Sequence, residues 1–79
     1  MSSRAYVLLH IADGNSELVL QALQSMPGVV TVDVLEGPPD VIMVVEASER
    51  QKLAELTTQA LASVETVIED MRLLPSRDD

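Results

Sequence analysis

The stretch Val29–Ala47, VVTVDVLEGPPDVIMVVEA, decides how this chain folds. Two apolar runs flank the break Glu36-Gly37-Pro38-Pro39-Asp40. Glycine, proline and aspartate gather where a chain reverses, so the break predicts a hairpin turn. Before it, Val29–Leu35 alternates, with Val30, Val32 and Val34 on one face and Thr31 and Asp33 on the other. After it, Val41–Val45 is apolar at every position, the pattern of a strand covered on both faces.

Outward from the hairpin, each side repeats the same order. Toward the N-terminus, Ser16–Met26 carries Leu18, Val19, Ala22, Leu23 and Met26 at intervals of three and four, one apolar stripe on a helix. Asn15 is placed to cap it, and Pro27-Gly28 to end it. Ala5–Ile11 precedes it as a nearly continuous apolar strand. Toward the C-terminus, Ser48 and Gln51 have the spacing of a capping box, followed by the stripe Leu53, Leu56, Ala60 and Leu61. Val64–Leu74 is the last strand region, best patterned over Val67–Leu74, and Pro75 stops it.

The halves align at a constant offset: Val7-Leu8-Leu9 with Ile42-Met43-Val44, Leu18 with Leu53, Gly28-Val29 with Ser63-Val64. Two βαβ units joined by a hairpin make an α+β, ferredoxin-like βαββαβ fold. Right-handed crossovers then order the strands 4-1-3-2, with both helices on one face of an antiparallel sheet. The two strands placed centrally are the most apolar, while the edges carry Thr31, Asp33, Glu69, Asp70 and Arg72, charges that discourage stray strand pairing.

Two helices cover only one face of such a sheet. Tyr6, Leu8 and His10 share one face of the first strand, and Ile42 and Val44 alternate against Val41, Met43 and Val45 in the third. Whichever set meets the helices, the other face keeps an apolar patch larger than soluble monomers usually expose. A homodimer packed sheet against sheet, a dimeric α+β barrel, is the expectation.

The totals set the remaining bounds. The chain has 79 residues, no cysteine, no Phe or Trp and one Tyr, yet is 47% hydrophobic. It is read as one domain over residues 4–74 with a frayed, charged tail at 75–79. A domain this size buries only about 60% of its unfolded surface, so association is a natural source of stability. The formal net charge of −8 opposes direct binding to nucleic acid or to anionic membranes. No apolar run approaches the ~20 residues of a membrane span, and Met-Ser-Ser-Arg leads straight into a strand pattern with no signal-peptide composition. A cytoplasmic location is the default.

Ala5-Tyr6-Val7-Leu8-Leu9, Met26-Pro27-Gly28-Val29, Val34–Asp40 and Val41-Ile42-Met43-Val44 together resemble the effector-binding (RAM) domain of the Lrp/AsnC transcription regulators. The resemblance runs from Arg4 to Leu74. It implies dimerisation through the sheets, assembly of dimers into rings, and an amino acid or related small molecule bound between dimers. It further implies a stand-alone effector domain without the family's helix-turn-helix, one that binds a small molecule or co-assembles with full-length regulators.

Gly37 and Asp40 match the hairpin residues of that family, whose loop contributes to the effector pocket. A glycine lets backbone approach a ligand, and a carboxylate accepts hydrogen bonds from an α-amino group. The same two residues also simply shape a turn. Glu36 stands where threonine is common in the family, and Pro39 where an aromatic is. Pro38-Pro39 removes two N–H donors and stiffens the loop. Ile68 and Asp70 replace the threonine or serine usual on the last strand. The candidate ligand-binding set is therefore Glu36, Gly37, Pro38, Pro39, Asp40, Ile68 and Asp70, and convergence of Glu36, Asp40 and Asp70 would favour a cation or metal ion.

No Ser/His/Asp set, phosphate-cradling loop or metal-ligand cluster stands out, and no catalytic residue, cofactor or metal is assigned. His10 and Tyr6 are the remaining groups suited to acid–base work, and they read as interface residues with hydrogen-bonded tips, a small enzyme being the minor alternative. Met26, Met43 and Met71 sit at core spacing. An adaptor that joins assemblies of full-length regulators without ligand is the other alternative.

Overall fold

The computed structural model describes residues 2–37 and 39–75; Met1, Pro38 and residues 76–79 of the expected 75–79 tail lie outside the described residues. The nearly continuous apolar run produces strand β1 (Ser3–Ile11), and the three-and-four spacing produces helix α1 (Ser16–Gln24). Strands β2 (Val29–Val34) and β3 (Val41–Ala47) form the hairpin, α2 spans Arg50–Ala62, and β4 spans Ile68–Pro75. A single 3-10 turn, Glu65–Val67, precedes β4 where a longer strand was expected. β4 also takes in Pro75, which pairs with Ala5.

The sheet order is β2-β3-β1-β4, the expected 4-1-3-2, and all three pairings are antiparallel. β1 and β3 are central, as their uniform apolarity requires. Ala5, Val7, Leu9 and Ile11 of β1 and Val41, Met43 and Val45 of β3 are buried on the helix side. All of these but Ala5 meet Val19 and Leu23 of α1 and Leu56 and Ala60 of α2 in one cluster closed by Val64.

Several local readings are corrected. Leu18 was placed on the buried stripe of α1 but is 59% exposed, because the helix turns Val19 and Leu23 to the sheet. A Leu18→Gln variant is therefore expected to unfold within about 0.5 kcal/mol of the parent in urea titrations, the range of ordinary surface changes. Asn15 is the N-cap residue of α1, but its side chain caps nothing; its Nδ2 instead donates to the Ala12 and Asp13 carbonyls. α1 ends at Gln24, short of Met26, where Ser25 Oγ donates to the Ala22 carbonyl. The expected capping box is not formed: α2 starts at Arg50 with Glu49 as its N-cap, and no side chain caps it.

In β2 the register slips between Val29 and Thr31, a bulge that breaks strict alternation. Val29 and Val32, rather than Val30, then pack toward the core, and Val30 is exposed. Met71 is not a core residue; it and Leu73 lie on β4, beyond the reach of the helices, and are exposed. Leu35 lies just past the end of β2 in the hairpin.

Among the described residues no helix covers the second sheet face. Tyr6, Leu8 and His10 of β1 and Ile42 and Val44 of β3 lie half-buried across its middle. Thr31 and Asp33 of β2 pair with Val44 and Ile42, and Asp70, Arg72 and Leu74 of β4 pair with His10, Leu8 and Tyr6, so all of them share this face. At one end Arg4 binds Glu46 through both Nε and Nη2, and its Nη1 lies 3.5 Å from the Tyr6 hydroxyl. The hydrogen bonds to Tyr6 and Glu46 raise the Arg4 pKa above its ordinary value, keeping the guanidinium charged.

Candidate functional site

The opposite end of the open face is built around the hairpin. Gly37 turns the chain at φ +81°, a backbone angle that side chains disfavour. The hairpin closes through Leu35 N–H donating to the Asp40 carbonyl at 2.6 Å. Asp40 then locks onto β1 twice: its own N–H donates to the Leu9 carbonyl at 2.8 Å, and its Oδ2 accepts from Ile11 N–H at 3.0 Å. A carboxylate on a backbone N–H is a strong, charge-assisted anchor. The end of the hairpin is thus tied to the central strand.

His10 sits beside that anchor. Its Nδ1 is 2.7 Å from Asp40 Oδ2, and its Nε2 is 3.3 Å from Glu69 Oε1. The Nδ1 contact has an ion pair's distance without the alignment of a hydrogen bond, so that buried nitrogen has no directed partner. Glu69 reaches the histidine because of a second bulge. His10 pairs with Asp70 but Ile11 pairs with Ile68, leaving Glu69 as the extra residue of β4. A bulge re-aims the side chain at the irregularity.

Next to this cluster lies a shallow depression of about 240 Å³, lined by Leu8, His10, Pro39, Asp70, Met71 and Arg72. Its lining includes an acidic residue, Asp70, and a basic one, Arg72, together with the apolar Leu8, Pro39 and Met71. The Asp70 Oδ1 also accepts from Met71 N–H at 2.9 Å.

Of the residues expected to bind ligand, Pro39 and Asp70 line the depression, and Asp40 stands behind it against His10. Glu36 and Gly37 are exposed at the turn, with open space around Gly37. Ile68 is not brought to the depression; it packs against the core on the helix side. Pro38 lies outside the described residues. Among the described residues no group of acidic or imidazole side chains has the arrangement of a metal site. Arg72, Leu8 and Glu69 are not in the ligand-binding set expected from sequence. Leu8 shares the open face of β1 with His10, and the register of β4 against β1, with its bulge, brings Arg72 and Glu69 beside them.

A four-stranded sheet backed by two helices, with a tethered hairpin beside a small polar depression, defines a ferredoxin-like binding domain. The family model for the Lrp/AsnC ligand binding domain matches residues 4–69, and the chain belongs to that family. This makes it a regulatory effector-binding domain. No curated protein matches. Among solved structures, the hypothetical protein PHS023 from Pyrococcus horikoshii is similar at 24% identity and a TM-score of 0.85, over 100% of this chain and 93% of that one. FFRP-DM1 is similar at 24% identity and a TM-score of 0.82, over 95% of this chain and 99% of that one. The transcriptional regulator NMB0573 from Neisseria meningitidis, solved as a complex with L-Met, is 14% identical with a TM-score of 0.75; 98% of this chain covers 52% of it. At these identities the likeness is one of fold. Among the described residues no helix is long and apolar enough to cross a membrane.

Proposed function

We propose that this domain is a non-catalytic effector-binding and oligomerisation module of transcription regulation whose ligand is an amino acid or a related small zwitterion. The observation that carries this reading is the juxtaposition of Asp70 and Arg72 on one wall of the depression beside the tethered hairpin. A carboxylate meets an α-ammonium group, and a guanidinium meets a carboxylate in a bidentate fork. Leu8 and Pro39 supply apolar surface for the rest of the ligand. The family supports an effector of this class, and the Neisseria regulator of the same fold was solved with L-Met. Copies of the chain join through the open sheet face, and further assembly of such dimers completes the depression, which is shallow in one protomer.

Isothermal titration against the twenty amino acids and common divalent ions tests the reading. Heat is expected for one or a few amino acids, with affinity falling at least about tenfold in Arg72→Ala and Asp70→Asn, the loss of one charge-assisted hydrogen bond. Heat with divalent ions alone would move the ligand class to a metal. No heat with any compound would remove the effector reading. One observation favours the second reading, a ligand-free adaptor that co-assembles with full-length regulators: the Asp40 carboxylate is only 19% exposed and already serves Ile11.

A further inference from the structure

We infer that His10 is a positioning residue whose proton count sets how tightly Asp40 of the hairpin and Glu69 of β4 are latched together across β1. Three elements meet at its ring: β1 supplies the imidazole, the hairpin supplies Asp40, and the β4 bulge supplies Glu69. The two contacts lie on different ring nitrogens, 2.7 Å and 3.3 Å away, and both are charge contacts. An imidazolium attracts both carboxylates at once, whereas a neutral ring attracts neither as an ion. The charged ring therefore draws Asp40 and Glu69 together, while the neutral ring leaves Glu69 free to turn to solvent.

The surrounding charges fit this role. Asp40 faces the ring from the hairpin, and Glu69 from the bulge of β4. Asp70 is the register partner of His10, and Arg72 lines the same depression one pair along. Asp40 is half the exposure of the histidine and is held by Ile11 N–H, so it is the fixed arm; the more exposed Glu69 is the arm free to leave. Because Pro39, Asp70 and Arg72 sit on the two elements being joined, the proton count sets the shape of the depression. This last consequence rests on the effector-binding reading, whereas the latch itself does not.

Backbone amide NMR across about pH 5 to 8, the range in which histidine changes charge, tests the latch without any ligand. In the parent protein, the amides of Ile11 and Asp40 and those of Glu69 and Asp70 are expected to shift together, with the midpoint of the His10 ring protons. In Glu69→Gln, a change at an exposed side chain that leaves folding intact, the β4 amides are expected to lose that midpoint while the hairpin amides keep it. In His10→Gln both sets lose it. Hairpin and β4 amides that titrate with separate midpoints in the parent, or a β4 response unchanged in Glu69→Gln, would overturn the latch. Should amino-acid binding be absent, the coupled titration still decides the question.

Discussion

Gly28→Ala is expected to unfold the isolated protomer, whereas the same change at Gly14 or Gly37 leaves it folded. All three glycines have positive φ, between 81° and 84°, so each alanine pays the left-handed backbone cost of about 1–2 kcal/mol. The surroundings separate them. A Cβ at Gly14 or Gly37 meets nothing within 4 Å. At Gly28 it meets Leu56 Cδ1 at 2.6 Å, Leu56 Cβ at 3.3 Å and the Glu46 carbonyl at 3.2 Å. Neither neighbour yields easily: Leu56 is buried in the core, and the Gly28 carbonyl accepts from Glu46 N–H at 2.8 Å, pinning the turn to β3. Overpacking of this kind adds about 1–3 kcal/mol. A core in this size range rarely supplies more than about 3–5 kcal/mol, so the sum consumes most of it. Thermal and urea unfolding of the three variants, followed by circular dichroism, provides the check. Equal loss at Gly28 and Gly14 would show that the backbone angle alone matters.

That close contact was only partly legible in the sequence. Pro27-Gly28 announced the end of α1, and the period switch to Val29 announced β2. The fit of Gly28 under Leu56 depends on how α2 crosses the sheet, which no local pattern encodes. The same division holds elsewhere. Strand order followed from the apolarity of β1 and β3 and from the handedness of the crossovers, both properties of the sequence and of chain chirality. The bulges at Val30 and Glu69 did not, because a one-residue slip is fixed by pairing across strands. Those slips decide the site: one exposes Val30, and the other brings Glu69 to His10. The hairpin residues Gly37 and Asp40 were recognisable by type, since a turn needs both. That Asp40 faces inward, onto Ile11 N–H and His10, needed the register of β1. The helix caps misled for a related reason. Asn15 and Ser48 have capping chemistry, but in the structure Asn15 turns back to its own loop and α2 begins two residues after Ser48.

Val44→Lys is expected to give a folded monomer in place of the proposed sheet-to-sheet dimer. Val44 lies at the middle of the open face, between Tyr6 on β1 and Thr31 on β2, and takes no part in the core on the helix side. In one protomer a lysine there extends over the sheet into water, so the fold tolerates it. In a sheet-to-sheet dimer, two-fold symmetry brings the substitution in twice, once from each copy. Each ammonium must then be desolvated: of the neighbouring carboxylates on this face, Glu46 is engaged by Arg4, and Asp33 lies on edge strand β2, opposite Ile42 rather than position 44. An unpaired buried charge costs several kcal/mol, which at about 1.4 kcal/mol per decade weakens the dimer at least about a thousandfold. Sedimentation velocity at micromolar protein reads the result directly, with circular dichroism confirming the fold. The helix-side variant Leu18→Lys, equally charged but away from this face, is expected to sediment as the parent does. If both lysine variants stay dimeric, the open face is not the interface. The exposed pair Met71 and Leu73, on the helix side of β4, then becomes the surface to mutate next.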